Sequence, residues 1–124
     1  MKRSILDQTL EITVLSQEES GSVLKVKVLS ESSVFEGHFP DNPILPGVVM
    51  VEAVRVSLGQ LFQKDFRLQS ALSIKFLAVL NPEECREVNL SIKHSEVGDG
   101  QKIDANLYLE EKVFFKMKAV YQVV

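Results

Sequence analysis

Gly47-Val48-Val49-Met50-Val51-Glu52-Ala53-Val54-Arg55-Val56-Ser57-Leu58-Gly59-Gln60-Leu61-Phe62 is the stretch of this 124-residue chain that abandons alternation. It contains no proline. Val48, Val51, Glu52, Val54, Arg55, Leu58, Leu61 and Phe62 recur at spacings of three and four, as on one side of a helix. Pro46 stands just before it, where proline is favoured at the first helical turn. Gly59 weakens the helix by up to ~1 kcal/mol relative to alanine. The spacing predicts a helix over 47–62.

On either side of that stretch the sequence alternates with period two. The apolar parities are Leu10, Ile12 and Val14; Leu24, Val26 and Val28; Leu72, Ile74, Phe76, Ala78 and Leu80; Val88, Leu90 and Ile92; Ile103, Ala105, Leu107 and Leu109; and Phe115, Met117, Ala119, Tyr121 and Val123. Each run predicts a strand with one face on a core. Glu19-Ser20-Gly21, Asn81-Pro82-Glu83, Gly98-Asp99-Gly100 and Glu110-Glu111-Lys112 supply the turns between them. The connections after residue 68 are too short for parallel crossovers, so those strands are expected to be antiparallel. About six strands and one helix, inserted after the second strand, make an α+β class chain. No linker, repeat or low-complexity segment interrupts it, and a single domain over 1–124 is expected.

Composition narrows the function. The chain is 45% hydrophobic and 25% charged, as an ordinary globular protein is. Its net charge of −3, with no basic run, argues against nucleic acid as the main partner. Two histidines and one cysteine are too few for the usual transition-metal ligand set. The single cysteine makes no internal disulfide and fits a reducing compartment. Lys2 and Arg3 are followed by Asp7, Gln8 and Glu11, which break any signal-like apolar run. No stretch reaches the 18 or so apolar residues of a membrane span. A cytoplasmic protein is expected.

The chemistry concentrates before and within the predicted helix. Three of the four prolines lie in Gly37-His38-Phe39-Pro40-Asp41-Asn42-Pro43-Ile44-Leu45-Pro46-Gly47. Proline fixes φ and restricts the preceding residue, so this loop is stiff, and its side chain of obvious catalytic use is His38. Histidine titrates near neutrality and can accept a proton. Between Ile44 and Val54 every side chain except Glu52 is apolar, proline or glycine. A carboxyl in such a run is expected to be desolvated, its pKa raised, and able to donate a proton. The helix begins at Gly47, whose N–H has no intrahelical partner and which has no Cβ to keep a ligand carbonyl away. Base, acid and oxyanion donor together suit removal of a proton α to a carbonyl with loss of a β-hydroxyl.

Val34-Phe35-Glu36-Gly37-His38-Phe39-Pro40, Pro43-Ile44-Leu45-Pro46-Gly47-Val48 and Glu52-Ala53 resemble the signature of the FabZ-type 3-hydroxyacyl-(acyl carrier protein) dehydratases. Glu52 falls fourteen residues after His38, as in that pattern. Lys75-Phe76 followed by Asn81-Pro82-Glu83 is a weaker echo. The resemblance implies the hotdog fold, a long central helix wrapped by an antiparallel sheet. It implies His38 as base and Glu52 as acid, supplied by different subunits of a homodimer or a higher homo-oligomer. It further implies the Gly47 N–H as donor to the thioester carbonyl, the Ile44 carbonyl as partner of the His38 ring, and Phe39 and Val48 at the substrate. The implied reaction is reversible dehydration of a (3R)-3-hydroxyacyl thioester to the trans-2-enoyl thioester. The acyl chain would ride on the phosphopantetheine arm of acyl carrier protein, with no metal or other cofactor. Many members continue Ala-x-Ala-Gln after the glutamate; here Arg55 stands for an alanine and Val56 for the glutamine. A specialised polyketide-like or aryl polyene pathway therefore stands beside fatty-acid synthesis.

Other residues read as structural. His94 lies on the apolar parity of its strand, Cys85 follows a turn, and Gly98-Asp99-Gly100 is a hairpin turn with no helix after it. Lys64, Arg67 and Lys75 read as a solvated surface able to attract an acidic carrier protein. Two alternatives share the fold: a thioester hydrolase, which the histidine loop argues against, and a non-catalytic acyl-binding subunit, which intact His38 and Glu52 argue against.

Overall fold

A computed structural model describes residues 9–29 and 44–124. The elements are β1 (Leu10–Gln17), β2 (Gly21–Val28), α1 (Gly47–Phe62), β3 (Phe66–Phe76), β4 (Glu87–Val97), β5 (Gly100–Leu109) and β6 (Lys112–Val123). All pairings are antiparallel, and the sheet order is β1-β2-β4-β5-β6-β3. The chain leaves β2, forms α1, and returns as β3 at the opposite edge, against β6. Among the described residues, one long helix on a six-stranded antiparallel sheet is the hotdog arrangement that the resemblance implies.

Four of the alternating runs bury the parity their sequence predicts. Leu24, Val26 and Val28 of β2, Val88, Leu90 and Ile92 of β4, Ile103, Ala105 and Leu107 of β5, and Phe115, Met117, Ala119 and Tyr121 of β6 are all buried. Removal of one such leucine from water contributes about 1.5–3 kcal/mol. The Gly98 turn joins β4 to β5 with Val97 opposite Gly100 and Gly98 at φ 62°, the left-handed region glycine adopts freely. The Asn81 turn closes as its sequence suggests: the Glu83 N–H donates to Asn81 Oδ1 at 2.8 Å.

The two edge strands depart from expectation. In β1 only Leu10 is buried, and a bulge between Val14 and Ser16 shifts the register. The third run ends as a strand at Phe76 rather than Leu80, and Leu72, Ile74 and Phe76 are exposed. Bulges at Leu68/Ser70 and Ala71/Ser73 interrupt its pairing with β6. The physical reason is position: β3 is the last strand, paired on one side only, and beyond Phe66 its apolar side chains find little cover among the described residues.

Helix α1 has the predicted bounds, with Pro46 at the cap rather than inside the first turn. Its buried stripe is Val49, Met50, Ala53, Val54, Ser57, Leu58 and Leu61. The predicted stripe is thus rotated: Val48 is 73% exposed, and Val51, Glu52 and Arg55 are half-buried. The helix ends at Gln63 in the left-handed conformation. The Gln17 side chain donates to the Leu61 carbonyl at 2.8 Å, tying β1 to the last turn. Among the described residues no helix is long and apolar enough to cross a membrane.

Candidate active site

Two hydrogen-bond systems hold the start of α1. The Leu45 N–H donates to the Leu80 carbonyl at 2.9 Å, fastening the approach to the segment after β3, and both side chains are buried. The helical ladder then opens from the Pro46 carbonyl, which accepts from Val49 at 3.0 Å and Met50 at 3.3 Å. Pro46 offers no side-chain cap, and no acidic residue lies in the first turn. The Gly47 and Val48 N–H groups come before the first rung and have no acceptor within the helix. The dipole there favours negative charge.

The missing Cβ of Gly47 has a packing consequence. A Cβ built at that position would lie 2.7 Å from Cε1 of Phe76. The Phe76 ring therefore occupies the side of the glycine that the sequence reading left open to a ligand. That ring stands against Phe115, with centroids 5.4 Å apart. Phe76 is itself 55% exposed, so one aromatic side chain of the sheet edge shields the helix start while its other side meets solvent.

Glu52 lies five residues on, about 7.5 Å along the helix axis. It projects from the side of α1 away from the buried stripe. The expected desolvated carboxyl is not what the chain shows: the Glu52 side chain is 38% exposed and accepts a hydrogen bond from Arg55 Nε, one helical turn further. Arg55, three residues on, lies on the same helix face, which explains the pairing. Tyr121 of β6 is fully buried, its hydroxyl 3.9 Å from Met117 Sδ. Burial first, and then the Glu52 charge, push the Tyr121 phenol up to about 12, with Arg55 opposing. The Glu52–Arg55 pair thus reaches the core electrostatically while its own atoms meet solvent.

The predicted residues divide clearly. Gly47, Val48 and Glu52 share the first turn and a half of α1, and half-buried Ile44 leads into it. His38 and Phe39 lie outside the described residues. Among the described residues, His94 is the histidine and it is structural: buried, with Nε2 3.1 Å from Ser22 Oγ and its ring edge-on to Phe62 at 5.1 Å. Burial holds it below the ordinary histidine range. Burial also pushes the Cys85 thiol up, away from reactivity. Sequence reasoning singled out Arg55 and Phe76 but not their contacts with Glu52 and Gly47. The three-residue spacing of Glu52 and Arg55 was a usable signal for their ion pair; nothing local foretold the approach of Phe76 to Gly47.

Comparison with known proteins is consistent with this arrangement. A family model described as ApeI dehydratase, of the ApeI-like family, matches residues 14–115. The 3-hydroxyacyl-(acyl-carrier-protein) dehydratase FabZ of Rickettsia akari is 33% identical over 97 residues, 71% of this chain and 63% of that protein. The FabZ of Rickettsia bellii is 28% identical over 122 residues, 87% of this chain and 81% of that one. The chain thus spans somewhat under two-thirds of the length of the Rickettsia akari relative. Among solved structures, the dehydratase heterocomplex ApeI:P from Xenorhabdus doucetiae superposes with a TM-score of 0.68 at 20% identity, covering 90% of this chain and 98% of that one. A hypothetical thioesterase with coenzyme A from Streptococcus pneumoniae gives 0.64 at 13% identity over 92% and 86%. At such identities these two likenesses establish the hotdog fold alone, whereas the family model spans most of the sequence. The chain belongs to the ApeI-like dehydratase family.

Proposed function

We propose that the protein reversibly removes water from a (3R)-3-hydroxyacyl thioester, carried on the phosphopantetheine arm of acyl carrier protein, to give the trans-2-enoyl thioester. In this reading His38 takes the proton from the α-carbon. Glu52 gives a proton to the departing β-hydroxyl, which leaves as water, and the electron pair of the broken C–H bond becomes the new double bond. The Gly47 N–H, with the helix dipole behind it, stabilises charge on the thioester oxygen. The Ile44 carbonyl orients the His38 ring, and Phe39 and Val48 line the acyl chain. No oxidation state changes overall, so the reaction calls for no redox cofactor, and in this reading His38, Glu52 and the Gly47 N–H carry the proton transfers and charge without a metal. The observation that carries the reading is Glu52 on the uncovered side of α1, a turn and a half from a helix start with no side-chain cap, in a chain whose family is that of a dehydratase.

The active unit in this reading is a homodimer or a larger assembly of the same chain. The support is β3: an edge strand of 11 residues with Leu68, Leu72, Ile74 and Phe76 exposed, next to exposed Val48, Leu77 and Val79. An edge this long and apolar is normally covered. A second reading replaces the identical partner by a related subunit, and is favoured by the heterocomplex that the Xenorhabdus doucetiae dehydratase forms. The working compartment in either case is the cytoplasm, which one unpaired cysteine suits.

The test is a product assay on carrier-linked trans-2-enoyl chains from short to long. A carrier-bound 3-hydroxyacyl product supports the reading. Release of free acid would instead mark a hydrolase, and binding without turnover of any length would mark an acyl-binding subunit.

A further inference from the structure

The end of β3 and the residues after it brace the start of α1. The Leu77 and Ala78 N–H groups both donate to the Phe114 carbonyl, at 2.9 and 3.3 Å, so the chain leaving β3 is fixed to β6. Phe76, just before them, stands in register with Phe115 of β6. The two rings lie 5.4 Å apart at an angle of 34°. Phe115 is fully buried, so the Phe76 ring leans on a packed surface. Its far edge then reaches Gly47: a Cβ there would lie 2.7 Å from Cε1, 2.8 Å from Cζ and 3.3 Å from Cδ1. Carbon atoms in favourable contact stand about 3.5–4.0 Å apart. Only a residue without a Cβ lets the ring stand where it does.

Gly47 has little else to fix it. Glycine carries more backbone freedom than any other residue. Pro46 before it offers no side-chain cap, and no acidic residue lies in the first turn. The first rung of the helical ladder belongs to the Val49 N–H. The conformation of Gly47, and with it the aim of its N–H, therefore depends on what packs against its Cα. In a helix the Cα–Cβ direction tilts toward the N-terminus, the end to which the free N–H groups point. A ring at the Cβ position thus stands beside the Gly47 N–H and keeps water from that flank. A donor acts most strongly on developing charge when it is held in place and shielded from water.

We propose that Phe76 is a positioning residue for the dehydration: its ring, packed on Gly47, holds and shields the N–H at the start of α1, and position 47 is glycine in order to admit that ring. The inference rests on the reading of the Gly47 N–H as donor to the thioester oxygen. It assigns the missing Cβ to a side chain of the protein rather than to the ligand.

The test is hydration of a carrier-linked trans-2-enoyl chain by wild type, Phe76→Leu, Gly47→Ala and the double variant, with melting and sedimentation velocity on the same preparations. Leucine removes the ring edge at Cε1 and Cζ and leaves the strand edge apolar. Phe76→Leu is expected to lower kcat about tenfold with KM within about threefold of wild type, short of the roughly 100- to 1,000-fold that loss of a whole oxyanion donor costs. Its sedimentation coefficient is expected to be unchanged. Gly47→Ala displaces the ring and is expected to lose more. The double variant is expected to turn over faster than Gly47→Ala, because the new methyl group fills the space the ring edge has left; independent effects would make it slower. The proposal is overturned by a Phe76→Leu kcat within a factor of about two of wild type, by a loss confined to KM, or by a double variant no faster than Gly47→Ala. It is also overturned if the loss in Phe76→Leu comes with a fall in sedimentation coefficient, which would make Phe76 an interface residue. Phe76→Leu decides alone if Gly47→Ala does not fold. A wild type that hydrates no chain length overturns the dehydratase reading and this role with it, whereas an active wild type with an unimpaired Phe76→Leu overturns the role alone.

Discussion

Replacing Glu52 by glutamine separates chemistry from folding, and the structure sets both magnitudes. Glu52 and Arg55 form an ion pair whose side chains are 38% and 41% exposed. A pair so open to solvent contributes at most about 1 kcal/mol to stability. Glutamine keeps the shape and one acceptor oxygen for the Arg55 Nε–H. Glu52→Gln is therefore expected to move the melting temperature by less than about 4 °C in a chain of this size. Its effect on turnover is of another order. Loss of a positioned general acid costs about 100- to 10,000-fold, or about 2.7–5.5 kcal/mol at 1.36 kcal/mol per decade. Arg55→Ala is the partner variant: it breaks the same ion pair and leaves the carboxyl in place. The assay follows loss of enoyl-thioester ultraviolet absorbance on a carrier-linked substrate, with melting measured on the same preparations. Turnover by Glu52→Gln within a factor of about three of wild type would refute the role of Glu52. Equal losses in Glu52→Gln and Arg55→Ala would assign the effect to the pair rather than to the acid.

Further expectations follow from other positions. Ile74→Lys, on the exposed face of β3, is expected to leave the chain folded and to reduce the assembly to single chains in sedimentation velocity; an unchanged sedimentation coefficient would show that this face is not the interface. Ser57→Ala is expected to raise stability by about 1 kcal/mol in urea unfolding, because the buried Ser57 Oγ finds no hydrogen-bond partner among the described residues. Gly100→Ala is expected to destabilise by at least about 1–3 kcal/mol, since a Cβ there would lie 2.1 Å from the Tyr121 carbonyl oxygen. Two pH limbs are expected in urea midpoints. His94 sits below its ordinary value, so the unfolded chain binds its proton first and stability falls as pH drops below about 6.5; His94→Gln flattens that limb. Tyr121 is pushed up to about 12, so its contribution is full below the ordinary tyrosine value of about 10 and is lost as pH rises from there, a limb that Tyr121→Phe removes.

Residues that face their own core were legible in the sequence, and residues that face something else were not. Val88, Leu90 and Ile92 alternate because one sheet face is buried, and they occupy the predicted side. Leu72, Ile74 and Phe76 alternate equally well, yet are exposed, because periodicity reports that a face is apolar and not whether its own core covers it. The helix showed itself by loss of alternation, but valines at 48, 49, 51, 54 and 56 satisfy more than one helical stripe. Packing against the sheet selected the stripe through Val49 and Ala53 and left Val48 outside. Glu52 stood out within an apolar run, and the spacing put Arg55 on its side of the helix, but gave no sign of the ion pair that keeps both at the surface. The Gly47 position was recognised, while its contact with Phe76 depends on the strand that follows the helix and carries no local mark.

The measurement that bears most directly on the account is the fate of water oxygen. The purified protein is incubated with trans-2-enoyl acyl carrier protein in water labelled with heavy oxygen, and the carrier-bound and released products are weighed by mass spectrometry. The account predicts one heavy oxygen on the 3-hydroxyl of a chain still attached to the carrier, and loss of that product in Glu52→Gln. Heavy oxygen in a released carboxylate, with the carrier thiol set free, would contradict it.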